Sequence, residues 1–149
     1  MRRIINPDEF WEIWDQIITE NREGTVIITE GKHDLNVLRK LLIKGVIITS
    51  RTQNFWETIE RILKWSKRVI ILTDFDEEGE KEAEKLTHVL RQLGIEVLDS
   101  VRRGLKRALK SIRRIEELDK YVHFLMENKP FKYVEEEFVR KGIILHNVP

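Results

Sequence analysis

The sequence has no cysteine and only three prolines and seven glycines in 149 residues. Without cysteine there is no disulfide framework, thiolate zinc site, thiol nucleophile or iron–sulfur cluster. No apolar run approaches the ~18–20 residues of a membrane span, and Met1-Arg2-Arg3 leads into no signal-type apolar segment. The expectation is a cytoplasmic protein with no membrane partner. There is no repeat, low-complexity tract or Gly/Ser-rich linker, and the length suits one domain spanning residues 1–149. An apolar fraction of 41% is enough for a packed core. An excess of charge of either sign is also missing, since 27 Lys+Arg against 26 Asp+Glu leave a net +1.

That balance hides two opposed blocks. Asp74, Asp76, Glu77, Glu78, Glu80, Glu82 and Glu84 fall within eleven residues, relieved only by Lys81. Arg102, Arg103, Lys106, Arg107, Lys110, Arg113 and Arg114 form a basic stretch with no acid in it. Such blocks mark either solvated faces or interaction surfaces.

Asn6-Pro7-Asp8-Glu9 predicts a helix start, with Asn as N-cap, Pro at the first position and Glu three residues on. Phe10, Ile13, Trp14, Ile17 and Ile18 give that helix an apolar face over about 7–20. Four short, β-branched runs follow at 25–29, 46–49, 69–73 and 95–98. Helical stripes separate them: Leu35, Leu38 and Leu41 first, then Trp56, Ile59, Ile62 and Leu63, then Ala83, Leu86, Leu90 and Leu93, stopped by Gly94. Leu105, Ala108, Leu109 and Ile112 continue as a fifth helix. This alternation predicts an α/β fold with a largely parallel four-stranded sheet flanked by helices. Beyond Pro130, residues 134–140 read as a helix and 142–145 as a strand. Trp14 and Trp56 fall on apolar stripes and are expected in the core, whereas Trp11 and Trp65 are undecided between core and base stacking.

In parallel sheets, ligands bind at the carboxyl ends of the strands. The first strand ends in Glu30, with Asp34 in the next helix's first turn, and the third ends in Asp74 and Asp76. On extended chain the two aspartates point to one side, with Cα atoms roughly 6–7 Å apart. Neighbouring carboxylates repel unless a cation lies between them, and Mg²⁺ binds through one or two carboxylates plus waters and phosphates. Glu77, Glu78 and Glu80 suit the positive end of a helix and need no further role. Asp76 is open to a second reading as a plain N-cap.

Thr29-Glu30-Gly31-Lys32-His33-Asp34 and Leu72-Thr73-Asp74-Phe75-Asp76-Glu77-Glu78-Gly79, each following a strand, resemble the two signatures of the Toprim domain. That domain is shared by primases, type IA and type II topoisomerases, OLD-type nucleases, recombination proteins of the RecR type and ribonuclease M5. The resemblance implies a Toprim, Rossmann-like core over about 24–112, with the N-terminal helix and an extension over about 113–149 added. It places the acid/base glutamate on Glu30, the metal-binding pair on Asp74 and Asp76 with Glu30 as acid/base or co-ligand, and supporting roles on Gly31, Asp34 and Gly79. The cofactor it implies is Mg²⁺ or Mn²⁺.

The small ribonuclease M5-type branch is the nearest in its motif flanks. A topoisomerase needs a tyrosine-bearing domain, and a primase adds a cysteine-rich zinc module; only Tyr121 and Tyr133 are present here, and no cysteine. Walker A and GxGxxG loops are missing, and the acidic pair follows the third strand instead of the first, unlike haloacid dehalogenases.

Arg103, Arg107, Lys110 and Arg114 fall on one helical stripe, suited to phosphate contact. The expectation is therefore Mg²⁺-dependent phosphoryl transfer on RNA or DNA, most plausibly by a nuclease, with all seven cations on the backbone. The alternative is a non-catalytic binding or scaffold protein of the same fold, serving a protein partner that supplies other catalytic or recognition domains.

Overall fold

Period-two alternation along the strands divides the core in two. The computed structural model describes residues 5–133 and Gly142, so the helix and strand expected over 134–140 and 142–145 lie outside the described residues, apart from Gly142. The strands β1 (Val26–Thr29), β2 (Ile47–Thr49), β3 (Arg68–Ile71) and β4 (Glu96–Val97) form an all-parallel sheet in the order β2-β1-β3-β4. The expected α/β sheet is thus observed, each strand shorter by one to two residues than its β-branched run.

Ile27 of β1, Ile70 of β3 and Leu72 just beyond β3 point to one face of the sheet. There they meet α1 (Pro7–Arg22), α2 (Lys32–Lys40) and, after two further helices, α5 (Asp99–Leu109). Val26, Ile28, Val69 and Ile71 point to the other face, covered by α3 (Phe55–Trp65) and α4 (Glu77–Gln92). Past α5 the chain adds a 3₁₀ stretch, Ile115–Tyr121, and α6 (Val122–Glu127), whose Ile115, Leu118 and Leu125 sink into the α1/α2 side of the core.

Local chemistry explains the helix ends. The Asn6 side chain accepts from the backbone N–H groups of Asp8 and Glu9, with Pro7 at the first helical position. Asn54 caps α3 through the Glu57 N–H, and α4 stops where Gly94 takes a φ of +82°.

Of the two tryptophans expected in the core, one needs correcting. Trp14 is buried and donates to the Leu41 carbonyl at 2.8 Å, but Trp56 is 62% exposed. The inward side of α3 is carried by Thr58, Ile59 and Ile62, leaving Trp56 and Leu63 at its margin. Leu93, placed on the α4 stripe by spacing, is likewise exposed at the helix end. Trp11 is buried and Trp65 is exposed.

Trp11 Nε1 donates to the Leu125 carbonyl at 2.9 Å, fastening α6 onto α1. Replacing Trp11 by Phe keeps most of the apolar contact and leaves that buried carbonyl without its donor. Stability in urea should fall by about 1–3 kcal/mol.

Candidate metal and phosphate site

β3 ends at Ile71, but the chain runs on nearly extended through Leu72 and Thr73 before α4 begins. Leu72 N–H bonds to the Ile28 carbonyl at 2.7 Å, and the Thr29 hydroxyl bonds to the Leu72 carbonyl at 3.0 Å. These bonds carry the β3 terminus to the carboxyl edge beside β1. From there the side chains alternate. Phe75 is buried, whereas Asp74 and Asp76 on either side of it are only partly buried.

Each carboxylate is oriented by a backbone donor. Asp74 Oδ1 accepts from the Ile115 N–H at 2.9 Å, and Asp76 Oδ1 caps α4 through the Gly79 N–H at 2.8 Å. Asp76 is therefore an N-cap, and its other oxygen lies 3.9 Å from Arg114. Glu30 is 3% exposed; it accepts from the Asp74 N–H at 2.8 Å through Oε2 and from Arg51 at 2.5 Å through Oε1. Asp34 is also buried and accepts the Gly31 N–H at 3.1 Å, closing the turn into α2.

Gly79 is a steric requirement. A Cβ there would stand 2.0 Å from the Asp74 carbonyl oxygen, inside the turn that the Thr73 hydroxyl closes on the Gly79 carbonyl at 2.7 Å. Gly31 carries no such restriction, since a Cβ there meets nothing within 4 Å.

Gathering acids at one edge shifts their titration. Burial pushes Asp74 up to about 7, the Ile115 N–H opposes this, and the charges of Glu30, Asp34 and Asp76 add to it. Burial also raises Asp34, against the Gly31 N–H and with help from Glu30 and Glu116. Glu80 goes the other way: despite the upward push of burial, Lys106 and Arg102 hold it below the usual carboxylate range.

The basic block divides on folding. Arg102 is 6% exposed and faces inward. It donates to the carbonyls of Ile71, Thr73 and Asp74 at 2.9–3.0 Å, pairs with Glu80, and lies 4.6 Å from the centre of the Phe75 ring. This corrects its assignment to phosphate contact. The signal was in the spacing, because Arg102 precedes Leu105 by three residues and Leu109 by seven, on the apolar face of α5. Lys106 is held 2.8 Å from Glu80 and Arg103 is paired with Asp99.

The single stripe through Arg114 is also corrected. α5 ends at Leu109 and Lys110 turns with a φ of +56°. The departing chain crosses the carboxylates, where the Phe75 N–H bonds to the Arg113 carbonyl at 2.6 Å and the Ile115 N–H to Asp74. Ile112 and Ile115 are buried by this course, while Arg107, Lys110, Arg113 and Arg114 stay exposed. A cleft of about 780 Å³ between α4 and α5 brings His88 and Arg91 alongside Arg103, Lys106 and Arg107. Arg51, on the loop after β2, was not singled out from the sequence; no local pattern marks it, and only the β1–β2 pairing brings it to Glu30.

The donor set suits a hard divalent cation bound through two carboxylates, with water and phosphate completing its shell. Among the described residues, Asp74 and Asp76 each have one oxygen not held by a backbone donor, whereas both Glu30 oxygens are engaged. No closed cluster of three metal-ligating side chains occurs among the described residues, nor any helix long and apolar enough to cross a membrane.

Comparison with known proteins shows the family and the fold. A family model described as the Toprim domain matches residues 24–99. A UPF0292 protein of Methanocaldococcus jannaschii is 36% identical over 121 residues, covering 78% of this chain and 94% of its own. Another, of Pyrococcus abyssi, is 39% identical over 112 residues, covering 74% of this chain and 84% of its own. A solved structure of a protein from Aquifex aeolicus superposes with a TM-score of 0.64 at 29% identity, covering 71% of this chain and 94% of that one.

Two outcomes follow from the site. Arg102→Met would strand three carbonyls and the Glu80 carboxylate, lowering stability in urea by about 2–4 kcal/mol. Between the ordinary aspartate value and about 7, the folded chain holds a proton on Asp74 that the unfolded chain has lost. Stability of the metal-free protein should therefore fall as pH rises through that window. Since a metal ligand must shed its proton, Mg²⁺ affinity measured by calorimetry should rise through the same window, and Asp74→Asn should flatten both dependences.

Proposed function

Because this chain belongs to the Toprim domain family and groups with the UPF0292 proteins, we propose that it is a Mg²⁺- or Mn²⁺-dependent phosphoryl-transfer enzyme acting on nucleic acid, a nuclease of the ribonuclease M5-like type. The observation that carries this reading is the pair Asp74 and Asp76 at the carboxyl edge, each with one oxygen held by a backbone N–H and the other without such a donor, beside buried Glu30. The metal ion would supply charge neutralisation at the scissile phosphate and a more acidic water.

The chain's own groups do the rest. Asp74 and Asp76 hold the ion. Arg51, whose side chain is 66% exposed, turns from Glu30 to a phosphate oxygen and frees Glu30 Oε1. Glu30 then takes the proton from the water that attacks phosphorus as the phosphodiester P–O bond breaks. Arg103, Arg107, Lys110, Arg113 and Arg114 track the backbone, and Lys106 contributes through the α4–α5 cleft. Removing Arg102 from the count lowers the limiting salt slope of log affinity to about −5 for six contacts. The double engagement of Glu30 favours the second reading, a non-catalytic binding protein whose partner performs the chemistry.

Purified protein with Mg²⁺ on mixed RNA and DNA substrates separates the two. Cleavage should be lost by at least about a hundredfold in Asp74→Asn and Glu30→Gln, with binding retained. Substrates left equally intact by wild type and Asp74→Asn, while both still bind, would leave only the second reading.

A further inference from the structure

Two of the four tryptophans are spoken for, since Trp11 and Trp14 are buried and hydrogen-bonded through their indole N–H groups. Trp56 and Trp65 are 62% and 63% exposed, an unusual expenditure of large apolar surface on one helix. They do not form one patch. Nine residues apart on α3, they lie about two and a half turns from each other, on opposite flanks and about 13 Å apart along the axis. The surface between them carries Glu57, Glu60, Arg61 and Lys64, all exposed. Leu63, 45% exposed and seven residues beyond Trp56, adds apolar area on that flank, but these charges keep it from joining Trp65 in one apolar face.

Their positions in the fold differ as much as their flanks. In a parallel sheet every strand-to-helix junction lies at the carboxyl edge, so Trp56, in the first turn of α3, sits at the edge that holds Glu30 and Asp74. Trp65, at the last turn, sits at the opposite edge. The loop from β2 to α3 carries Arg51 on Glu30 and ends at Asn54, the α3 N-cap. Phe55 braces the ring edge-on, with centroids 5.2 Å apart, and Lys85 of α4 rests 4.3 Å from the Phe55 centroid. β2 is two strands from β3, about 10 Å at ordinary strand spacing, a separation of about two to three nucleotide steps.

We propose that Trp56 is a stacking platform for a base of single-stranded nucleic acid, with Arg51 and Lys85 taking the flanking phosphates and a linkage about two to three nucleotides along the strand reaching Asp74 and Asp76. The inference rests on the nucleic-acid reading of that site and adds the substrate class: an unpaired strand, whose bases can leave the stack for an aromatic face. A ring held by one edge-to-face contact and largely exposed takes any base, so the preference is for strandedness and not for sequence.

Oligouridylate, oligothymidylate and a mixed-sequence duplex, titrated with Ca²⁺ replacing Mg²⁺, provide the test against wild type, Trp56→Ala, Trp56→Phe and Trp65→Ala. Single strands should quench tryptophan fluorescence in wild type. Trp56→Ala should lose about five- to hundredfold in single-strand affinity with little change on the duplex. Trp56→Phe should recover most of the loss, and Trp65→Ala should bind as wild type. Single-strand affinity of Trp56→Ala within about twofold of wild type, together with weakened binding on charge reversal at Arg103 and Arg107, would overturn the platform and leave the nucleic-acid reading standing. Wild type that binds neither strand nor duplex would overturn both. Dissociation of a dimer by Trp56→Ala at unchanged strand affinity would assign the ring to self-association and also overturn the platform.

Discussion

A buried guanidinium organises the carboxyl edge of this sheet. β3 stops at Ile71 and five residues, Leu72 to Asp76, carry the chain to α4, so the backbone carbonyls around this exit need donors. Arg102 answers three of them from α5, on the far side of the sequence, and also reaches Glu80 in the first turn of α4. A planar fork with five donors can do this from one point, and a lysine ammonium cannot. The strand end and the helix start are thus fixed relative to each other by one side chain. The turn closed at Gly79 and the direction of Asp74 and Asp76 depend on that relation.

The price of the arrangement is electrostatic. Four carboxylates, those of Glu30, Asp34, Asp74 and Asp76, share one strand edge, and burial makes their mutual repulsion harder to relieve. The protein counters with backbone N–H groups from Gly31, Asp74, Gly79 and Ile115 and with arginines at 51 and 114. The backbone donors orient the oxygens without neutralising them, and burial, with the neighbouring carboxylate charges, raises Asp74 to about 7.

Much of this was legible from composition and spacing. Four β-branched runs alternating with apolar helical stripes determine the parallel sheet, because each run is too short and too uniformly apolar for anything but a strand covered on both faces. Carboxylates at the ends of the first and third runs mark the edge, and Gly79 follows from a turn that admits no Cβ. Long-range partners were not legible. A guanidinium at 102 reads as surface charge until three carbonyls at 71, 73 and 74 are seen to lack donors. The helix through 114 failed because periodicity cannot register that Ile112 and Ile115 bury better on an extended chain bonded to Phe75 and Asp74. Trp56 sat one position off the true inward side of α3, a difference an apolar stripe alone does not resolve.

The bond from Trp11 to the carbonyl of Leu125 joins positions 114 residues apart. On a ribosome that separation becomes time. α1 is synthesised before α6, and its Trp11 indole N–H finds its acceptor only near the end of the described residues, after α2, the sheet and α5 have offered cover to the rest of its apolar face. At ~5–20 residues per second, that indole waits on the order of ten seconds for its carbonyl. The carboxylate edge waits as well, since the N–H that orients Asp74 belongs to residue 115. Assembly of the acidic site is therefore a late event, and a nascent chain halted before that point exposes hydrophobic helix without yet carrying the completed edge.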